Sequence, residues 1–431
     1  MISRIKLTGF KSLHEVDLDL RPLTMLVGTN ASGKSNIRDA FRFLHAIGRG
    51  YRLIDILGGK YEGGDEVWKG IRGGPLGLLP QSNATVAFEV TFISESTRRH
   101  PVRSIINDRY TYELELRETT SEVRVSEERL LERKTPLFWT EASAATPRDV
   151  RTIKAQFRAG GTSRKGHVAH LQFDAPIIVQ ATEGLRERRD AEARRVQTGI
   201  DSVLQDFRMI RFLDLDPEAL RRASYPAQVS LGDRGENLSS VLFAVCLDPH
   251  KLAVVTEWLQ ALTPMDVIGL EFPQDHMGRV SLVLVESNGR KTGVASASDG
   301  TLRFLGYLAL VFSEDTPRLC FIEEIDNGIH PTRLHLLVEL LQTQTLKQKL
   351  QIVATSHSPV LLRLLDPKVL STGYLVYRNP ESNYSETIKI SELPNFNQLI
   401  EDRDPANLME SGWFENTVIA LRAHDEEEVA S

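Results

Sequence analysis

The stretch LTMLVGTNASGKSNIRDAFRFLHAI, Leu23 to Ile47, decides the fold. Thr24 to Val27 is an apolar run of strand length, and the periodicity beyond the loop predicts an amphipathic helix over Asn36 to Ile47. Between them, Gly28-Thr29-Asn30-Ala31-Ser32-Gly33-Lys34-Ser35 fits G-x-x-x-x-G-K-[ST] at every fixed position. A phosphate chain needs backbone N–H donors converging on it, and a glycine-bounded turn that opens a helix supplies them. Gly28 and Gly33 permit the tight path and the close approach of backbone to ligand. Lys34 would reach the β- and γ-phosphates, and Ser35 would offer its hydroxyl to Mg2+. The pattern arises by chance in unrelated chains, but seldom with a buried strand before it and a helix after it.

Composition bounds the rest. The chain has 431 residues, 41% hydrophobic and 26% charged, enough for two or three domains, or one domain with a large insertion, built on real cores. A formal net charge of −6 is unlike a dedicated nucleic-acid binder, so any DNA contact must come from a local patch. Cys246 and Cys320 stand far apart, which excludes a disulfide framework and any zinc site built on C-x-x-C. The N-terminus MISRIKLTGFKSL has no long apolar core, and no apolar run approaches the roughly 20 residues of a spanning helix. The expectation is a soluble, cytoplasmic protein without a membrane partner.

Outward from the loop, Ile2 to Thr8 and His14 to Leu20 alternate apolar and polar residues, which predicts a hairpin turning at Gly9 to Leu13. Glycines between positions 48 and 80 predict an irregular connection. From Asn83 to about Val179 the pattern predicts an antiparallel meander, with strands at Thr85–Phe92, Tyr110–Leu116, Glu122–Leu130 and His167–Phe173. Residues 183–211 are a charged helical segment carrying Arg186, Arg188, Arg189, Arg194 and Arg195. It is either a solvated face laced with Glu and Asp or a DNA or partner patch. Helices are expected at Leu213–Ala223, Ser239–Cys246 and Leu252–Leu262, a strand at Val280–Glu286 and a hairpin over Thr372–Ile390. The acidic run Asp425–Glu428 is expected to be disordered.

The second half supplies partners for the loop. Leu319 to Ile322 is a buried strand ending in Glu323 and Glu324. In phosphate-loop ATPases such a strand aims its terminal carboxylates at Mg2+ and the attacking water. Glu323 would hold the metal, directly or through water, and Glu324 would orient and deprotonate the water. Ile352 to Ala354 is a second short strand, followed by His357, placed to sense a γ-phosphate. ASDGT, Ala297 to Thr301, precedes an apolar helix, where Ser298 and the Gly300 backbone make either an anion site or an ordinary helix cap.

The set GTNASGKSN, ASDGTLRFL, LCFIEEIDNGIHP and ATSHSP resembles the ABC-type ATPase heads of the SMC, RecF and OLD (overcoming lysogenization defect) proteins. It looks most like their stand-alone prokaryotic AAA-family relatives. GFKSL at Gly9–Leu13, RFLDLDPEAL at Arg211–Leu220 and GENLSSVL at Gly235–Leu242 extend the likeness over most of the chain. The resemblance implies an α/β phosphate-loop fold with a mixed-sheet core, here carrying the β meander and a helical insertion. It implies two heads packed head to tail as a homodimer, each ATP lying between the phosphate loop of one and the signature of the other. Ser298 and Gly300 would then act in trans, Asn327 would lie at the dimer seam, His357 would be the switch histidine, and Asn30 and Asn36 would line the phosphate and metal region.

The sequence departs from the family pattern in places. Glu323 stands where many ABC proteins have Asp, the signature is ASDGT rather than LSGGQ, and Ile325 occupies a common proline position. The Mg2+-sensing glutamine has only Gln81 and Gln180 as candidates. There is no sustained heptad for a coiled coil. Only about 74 residues follow His357, fewer than a TOPRIM nuclease domain needs by ordinary domain sizes. The expected organisation is an ATPase lobe at 1–80, a β insertion at 81–180, a helical subdomain at 181–275 and a second ATPase lobe at 276–431. The expected activity is slow, Mg2+-dependent ATP hydrolysis that switches a separately encoded effector, a nuclease or toxin, in phage defence or DNA maintenance. A RecF-like DNA-binding repair or clamp ATPase is the alternative.

Overall fold

The alternating residues at the N-terminus do form a hairpin. β1 (Ile2–Phe10) and β2 (Leu13–Asp19) pair antiparallel, with Ile5 opposite Leu18 and Leu7 opposite Val16, all four buried. The computed structural model describes residues 1–78, 85–95, 107–118, 122–141, 152–158, 167–185, 190–262, 267–347, 350–396 and 404–430. After β3 (Leu23–Val27) come α1 (Lys34–Gly48), α2 (Leu53–Gly58) and a small hairpin of β4 (Lys60–Glu62) and β5 (Asp65–Trp68). The chain then forms two units, the first made of residues 1–21, 28–210 and 376–388, the second of 22–27, 211–375 and 389–431.

In the first unit the meander is longer than the sequence pattern suggests. β6 (Thr85–Glu95), β7 (Asn107–Glu118), β8 (Val123–Glu132), β9 (Thr135–Thr140), β10 (Thr152–Phe157) and β11 (His167–Gln172) run antiparallel in sequence order, and β6 also pairs with β1. β9 and β10 were not foreseen. Pro136 interrupts one, and both are only six residues long, too short for alternation to stand out. One face of this sheet packs Phe88, Tyr112 and Phe92 around Phe207 and Phe43. Phe207 belongs to α4 (Ala191–Arg208), which follows α3 (Ile177–Leu185). α1 buries Ile37, Phe41, Phe43, Leu44 and Ile47, each worth about 1.5–3 kcal/mol of transfer free energy.

In the second unit β3 lies beside β17 (Gln351–Ser356), which lies beside β16 (Leu319–Ile322), all parallel. β12 (Ile210–Leu213) follows next to β16. Leu23–Val27 and Leu319–Ile322 are buried throughout, as strands covered on both faces must be. Val27 is in register with Ser356, and Ile322 with Ala354, so the three strands end at one edge. The same register carries β18 (Tyr374–Arg378) beside β3, with Leu375 opposite Val27. β19 (Ser385–Lys389) is the neighbour of β18, as the expected hairpin requires.

The helix expected over Leu213–Ala223 is largely absent. Only α5 (Pro217–Leu220) forms, because Asp216 caps it and Pro217 occupies its first turn. The residues before it bond to a facing loop instead, Asp214 N–H to Asp233 O at 2.9 Å and Asp216 N–H to Arg234 O at 3.2 Å. α6 (Leu238–Cys246), α7 (Pro249–Leu262), β13 (Val267–Glu271), β14 (Val283–Glu286) and β15 (Lys291–Gly293) lead to α8 (Asp299–Phe312). α9 (Pro331–Lys347) links β16 to β17, and α10 (Pro359–Leu364) follows β17. The last helix spans Trp413–Ala430, so the acidic run Asp425–Glu428 is helical rather than disordered; glutamate is a good helix former. Among the described residues, no helix is long and apolar enough to cross a membrane.

Candidate functional site

The phosphate loop leaves β3 at Val27 and enters α1 one residue after Gly33. Gly33 has φ +113° and no side-chain cap bonds the helix it opens, so no capping side chain competes with an anion at the helix start. A Cβ on Gly33 would collide with the Ser385 side chain, and one on Gly28 with the Val376 carbonyl. Ala31 also lies in the left-handed region, at φ +64°. Thr29, Asn30 and Ala31 are exposed, whereas Ser32 and Lys34 are buried. The Lys34 ammonium lies across the loop, donating to Gly28 O and Thr29 O at 2.6 Å each. A left-handed cradle, an uncapped helix start and a buried ammonium aimed across it fit the phosphate chain of a nucleotide.

Around the same helix, Asn36 Nδ2 donates to Ser12 Oγ at 2.7 Å, and Ser12 Oγ meets Ser385 Oγ at 2.8 Å. This links GFKSL to α1 and to β19. Asp39, almost wholly buried, is paired with Lys11 and Arg72, and Arg72 Nη2 also donates to Ser35 O at 2.7 Å. Sequence reasoning missed Ser385, Arg72 and Asp39. Only the i, i+4 spacing from Ser35 to Asp39 could have marked the last as facing the loop.

In the second unit the acids sit where β16 ends. Glu323 is partly buried and Glu324 exposed. Glu324 has φ +46°, a conformation that side chains rarely adopt and that clusters at functional sites. Its turn is clamped by the next strand. Glu324 N–H donates to Thr355 Oγ1 at 2.9 Å, Ile325 N–H to Thr355 O at 3.1 Å, and Ser356 Oγ to Asp326 Oδ1 at 2.7 Å. Asn327 N–H closes the turn on Glu324 O at 2.8 Å. His357 Nδ1 stands 3.9 Å from Glu324 Oε1, beyond hydrogen-bond range, with both side chains close to half exposed. The structure therefore brings Glu323, Glu324, Asn327 and His357 to one edge. Thr355 and Ser356, which lie between the expected strand Ile352–Ala354 and His357, are what hold the turn.

The signature residues lie at the start of α8. Ser298 caps the helix, its Oγ accepting from Thr301 N–H at 3.2 Å and meeting Thr301 Oγ1 at 2.8 Å. Gly300 packs on the acid turn, where an added Cβ would lie 3.0 Å from Gly328 O. Tyr307, two turns further along the same face, donates its hydroxyl to Ile325 O at 3.2 Å, and burial pushes that phenol well above its ordinary pKa.

Neither glutamine candidate gains support. Gln81 lies outside the described residues, and the Gln180 amide is committed to backbone, giving to Gln172 O and Ala175 O and accepting from Gln172 N–H. Of the basic segment, Arg186, Arg188 and Arg189 lie outside the described residues. Arg195 is paired with Glu132, as a solvated, acid-laced face would have it.

A family profile described as "AAA domain, putative AbiEii toxin, Type IV TA system" matches residues 23–363, from the strand before the phosphate loop to the helix after His357. The chain belongs to this AAA-domain family. The α/β phosphate-loop fold expected from the motifs agrees with that assignment. No curated protein sequence matches the chain. Solved structures similar to it include the SMC head domain from Thermotoga maritima, 14% identical over 90% of this chain and 98% of that one, at a TM-score of 0.43. Another is an SMC head bound to the C-terminal winged-helix domain of ScpA, 12% identical over 90% and 97%, at 0.49. A third is the SMC head from Pyrococcus furiosus with an extended coiled coil, bound to the ScpA C-terminal domain, 13% identical over 93% and 99%, at 0.42.

Proposed function

We propose that this AAA-domain protein binds ATP with Mg2+, hydrolyses it slowly, and closes on it as a head-to-tail homodimer that switches a separately encoded effector, a nuclease or toxin, in phage defence or DNA maintenance. The observation that carries the reading is the strained, doubly clamped turn at Glu324. A left-handed glutamate costs stability unless the placement of its carboxylate is used. The parallel register of β3, β17 and β16 lends support, because the chain continues from those three ends into the phosphate loop, His357 and the acids.

In this reading the loop amides and Lys34 bind and orient the β- and γ-phosphates. Ser35 and Glu323 hold Mg2+, which when bound neutralises phosphate charge. The carboxylate count is in keeping with a metal held mainly by nucleotide and water. Glu324 orients the attacking water and takes its proton, His357 senses the γ-phosphate, and Ser298 with the Gly300 N–H completes the partner's site.

Glu324→Gln tests it. The variant should bind ATP, accumulate dimer in sizing experiments and lose roughly 10²- to 10⁴-fold in hydrolysis, the usual range for removing a general base. Lys34→Ala should lose nucleotide binding and stay monomeric. Hydrolysis at the wild-type rate in Glu324→Gln would remove that residue from the chemistry.

A further inference from the structure

The motif RFLDLDPEALRR has no assigned part in ATP chemistry, yet it grips the signature helix at two places. Leu215 packs on Gly306 in the middle of α8, where an added Cβ would come within 2.8 Å of Leu215 Cδ1. At the helix start, Arg221 Nη2 donates to Ala297 O at 3.1 Å and to Asp299 Oδ1 at 2.7 Å. These two residues flank Ser298. The arginine is oriented from behind by Glu218, 3.3 Å from Nη1, and only 22% of its side chain is exposed, against 60% for Asp299. Arg221 is itself fixed. α5 ends on it, and Asp216 both caps α5 and pairs with Arg234. Gly235, at φ +78°, packs where a Cβ would collide with Leu220. The two middle motifs thus form one brace, and its outward end is a planar guanidinium holding a main-chain carbonyl and a carboxylate on either side of the signature serine.

We propose that Arg221 is a positioning residue for the signature. By clamping Ala297 and Asp299 it sets where Ser298 Oγ and the Gly300 N–H point, and so whether they meet the phosphate held by the partner protomer. This rests on the shared-site reading above. The ammonium of a lysine is a point charge without the fork that spans both partners, so Arg221→Lys restores only part of the effect.

The experiment is a steady-state ATPase assay on single variants and equimolar mixtures. Arg221→Ala should lose kcat about tenfold to a hundredfold, the scale of a misplaced contact, with KM for ATP within about twofold, because ATP is captured by the protomer's own phosphate loop. Arg221→Lys should fall between. A mixture of Arg221→Ala with Lys34→Ala should recover activity well above that of either variant alone. Each mixed dimer holds one site with an intact loop and an intact signature, so recovery is capped at about half of wild type. Lys34→Ala with Ser298→Ala is the control. If the control recovers and the Arg221 mixture does not, Arg221 acts in its own fold and the proposal is overturned. If neither recovers, the shared-site reading falls and this inference with it. Asp299→Ala removes the exposed partner and leaves the brace packed. It should show the same kcat loss and the same recovery, which decides the matter should Arg221→Ala not fold.

Discussion

Replacing Glu324 by glycine should leave the protein more stable than replacing it by alanine. Glu324 sits at φ +46°. An L-residue held in the left-handed region costs about 1–2 kcal/mol. Glycine carries no such strain, but it adds about 0.5–1 kcal/mol of conformational entropy to the unfolded chain. The net advantage of glycine over alanine is therefore about 0.5–1 kcal/mol, with the sign opposite to that at an ordinary exposed position. The rest of the side chain drops out of the comparison, since both variants delete the carboxylate, which is close to half exposed and 3.9 Å from His357. The backbone bonds to Thr355 are the same in both. Thermal melts without nucleotide should place Glu324→Gly about 0.5–1 °C above Glu324→Ala, allowing for the chain's size. Both should be inactive in hydrolysis. Equal melting, or alanine above glycine, would refute the claim that strain is stored at the acid turn, and with it the observation on which the proposed chemistry leans.

Two further predictions follow from the first unit. Gly33→Ala should abolish nucleotide binding in a fluorescence titration and lower the melting temperature, since φ +113° and the Ser385 side chain both oppose a Cβ; wild-type affinity would contradict the cradle. Glu128, wholly buried between Tyr112 and the Ile177 and Ile178 N–H groups, has its carboxyl pushed up to about 7 by burial, against the opposing pull of those donors. The folded state thus binds the proton more tightly than the unfolded chain. The contribution is fully present below pH ~4.5 and fades as pH rises to about 7, by about 3 kcal/mol in all. Glu128→Gln should flatten that slope in denaturant melts between pH 5 and 7.5, and an unchanged slope would place the titration elsewhere.

What could be read from sequence was what local chemistry dictates. The phosphate loop, its strand and its helix follow from fixed glycines and a continuous apolar run, and helix periodicity placed α6 and α7 to within a few residues. The acid strand was legible because four apolar residues end abruptly in two carboxylates. What stayed hidden depends on partners distant in sequence. Nothing at Thr355 announces that its hydroxyl will receive the Glu324 N–H from thirty-one residues away. In LDLDPEALRRA the pair Asp216-Pro217 could have marked the helix start, but the path of the residues before it is set by bonds to Asp233 and Arg234, which come from another loop. β9 and β10 are set by their neighbours in the sheet rather than by their own six residues.

The start of α8 and the acid turn belong to the same unit, and this limits how either can move. Gly300, Arg303 and Tyr307, spaced i, i+3 and i+7, share one face of the helix. Each meets the turn. Gly300 lies against the Gly328 carbonyl, Arg303 occupies the space a Gly328 side chain would need, and Tyr307 holds Ile325 O. Gly328 is at φ +72°, and Arg303 Nε is buried there without a hydrogen-bond partner among the described residues, so the contact is close. Packed groups of this kind shift together or not at all. Under the proposed head-to-tail arrangement, a signature drawn toward one phosphate therefore carries the Glu324 turn of its own chain with it, so closure at one site of a dimer is felt at the other.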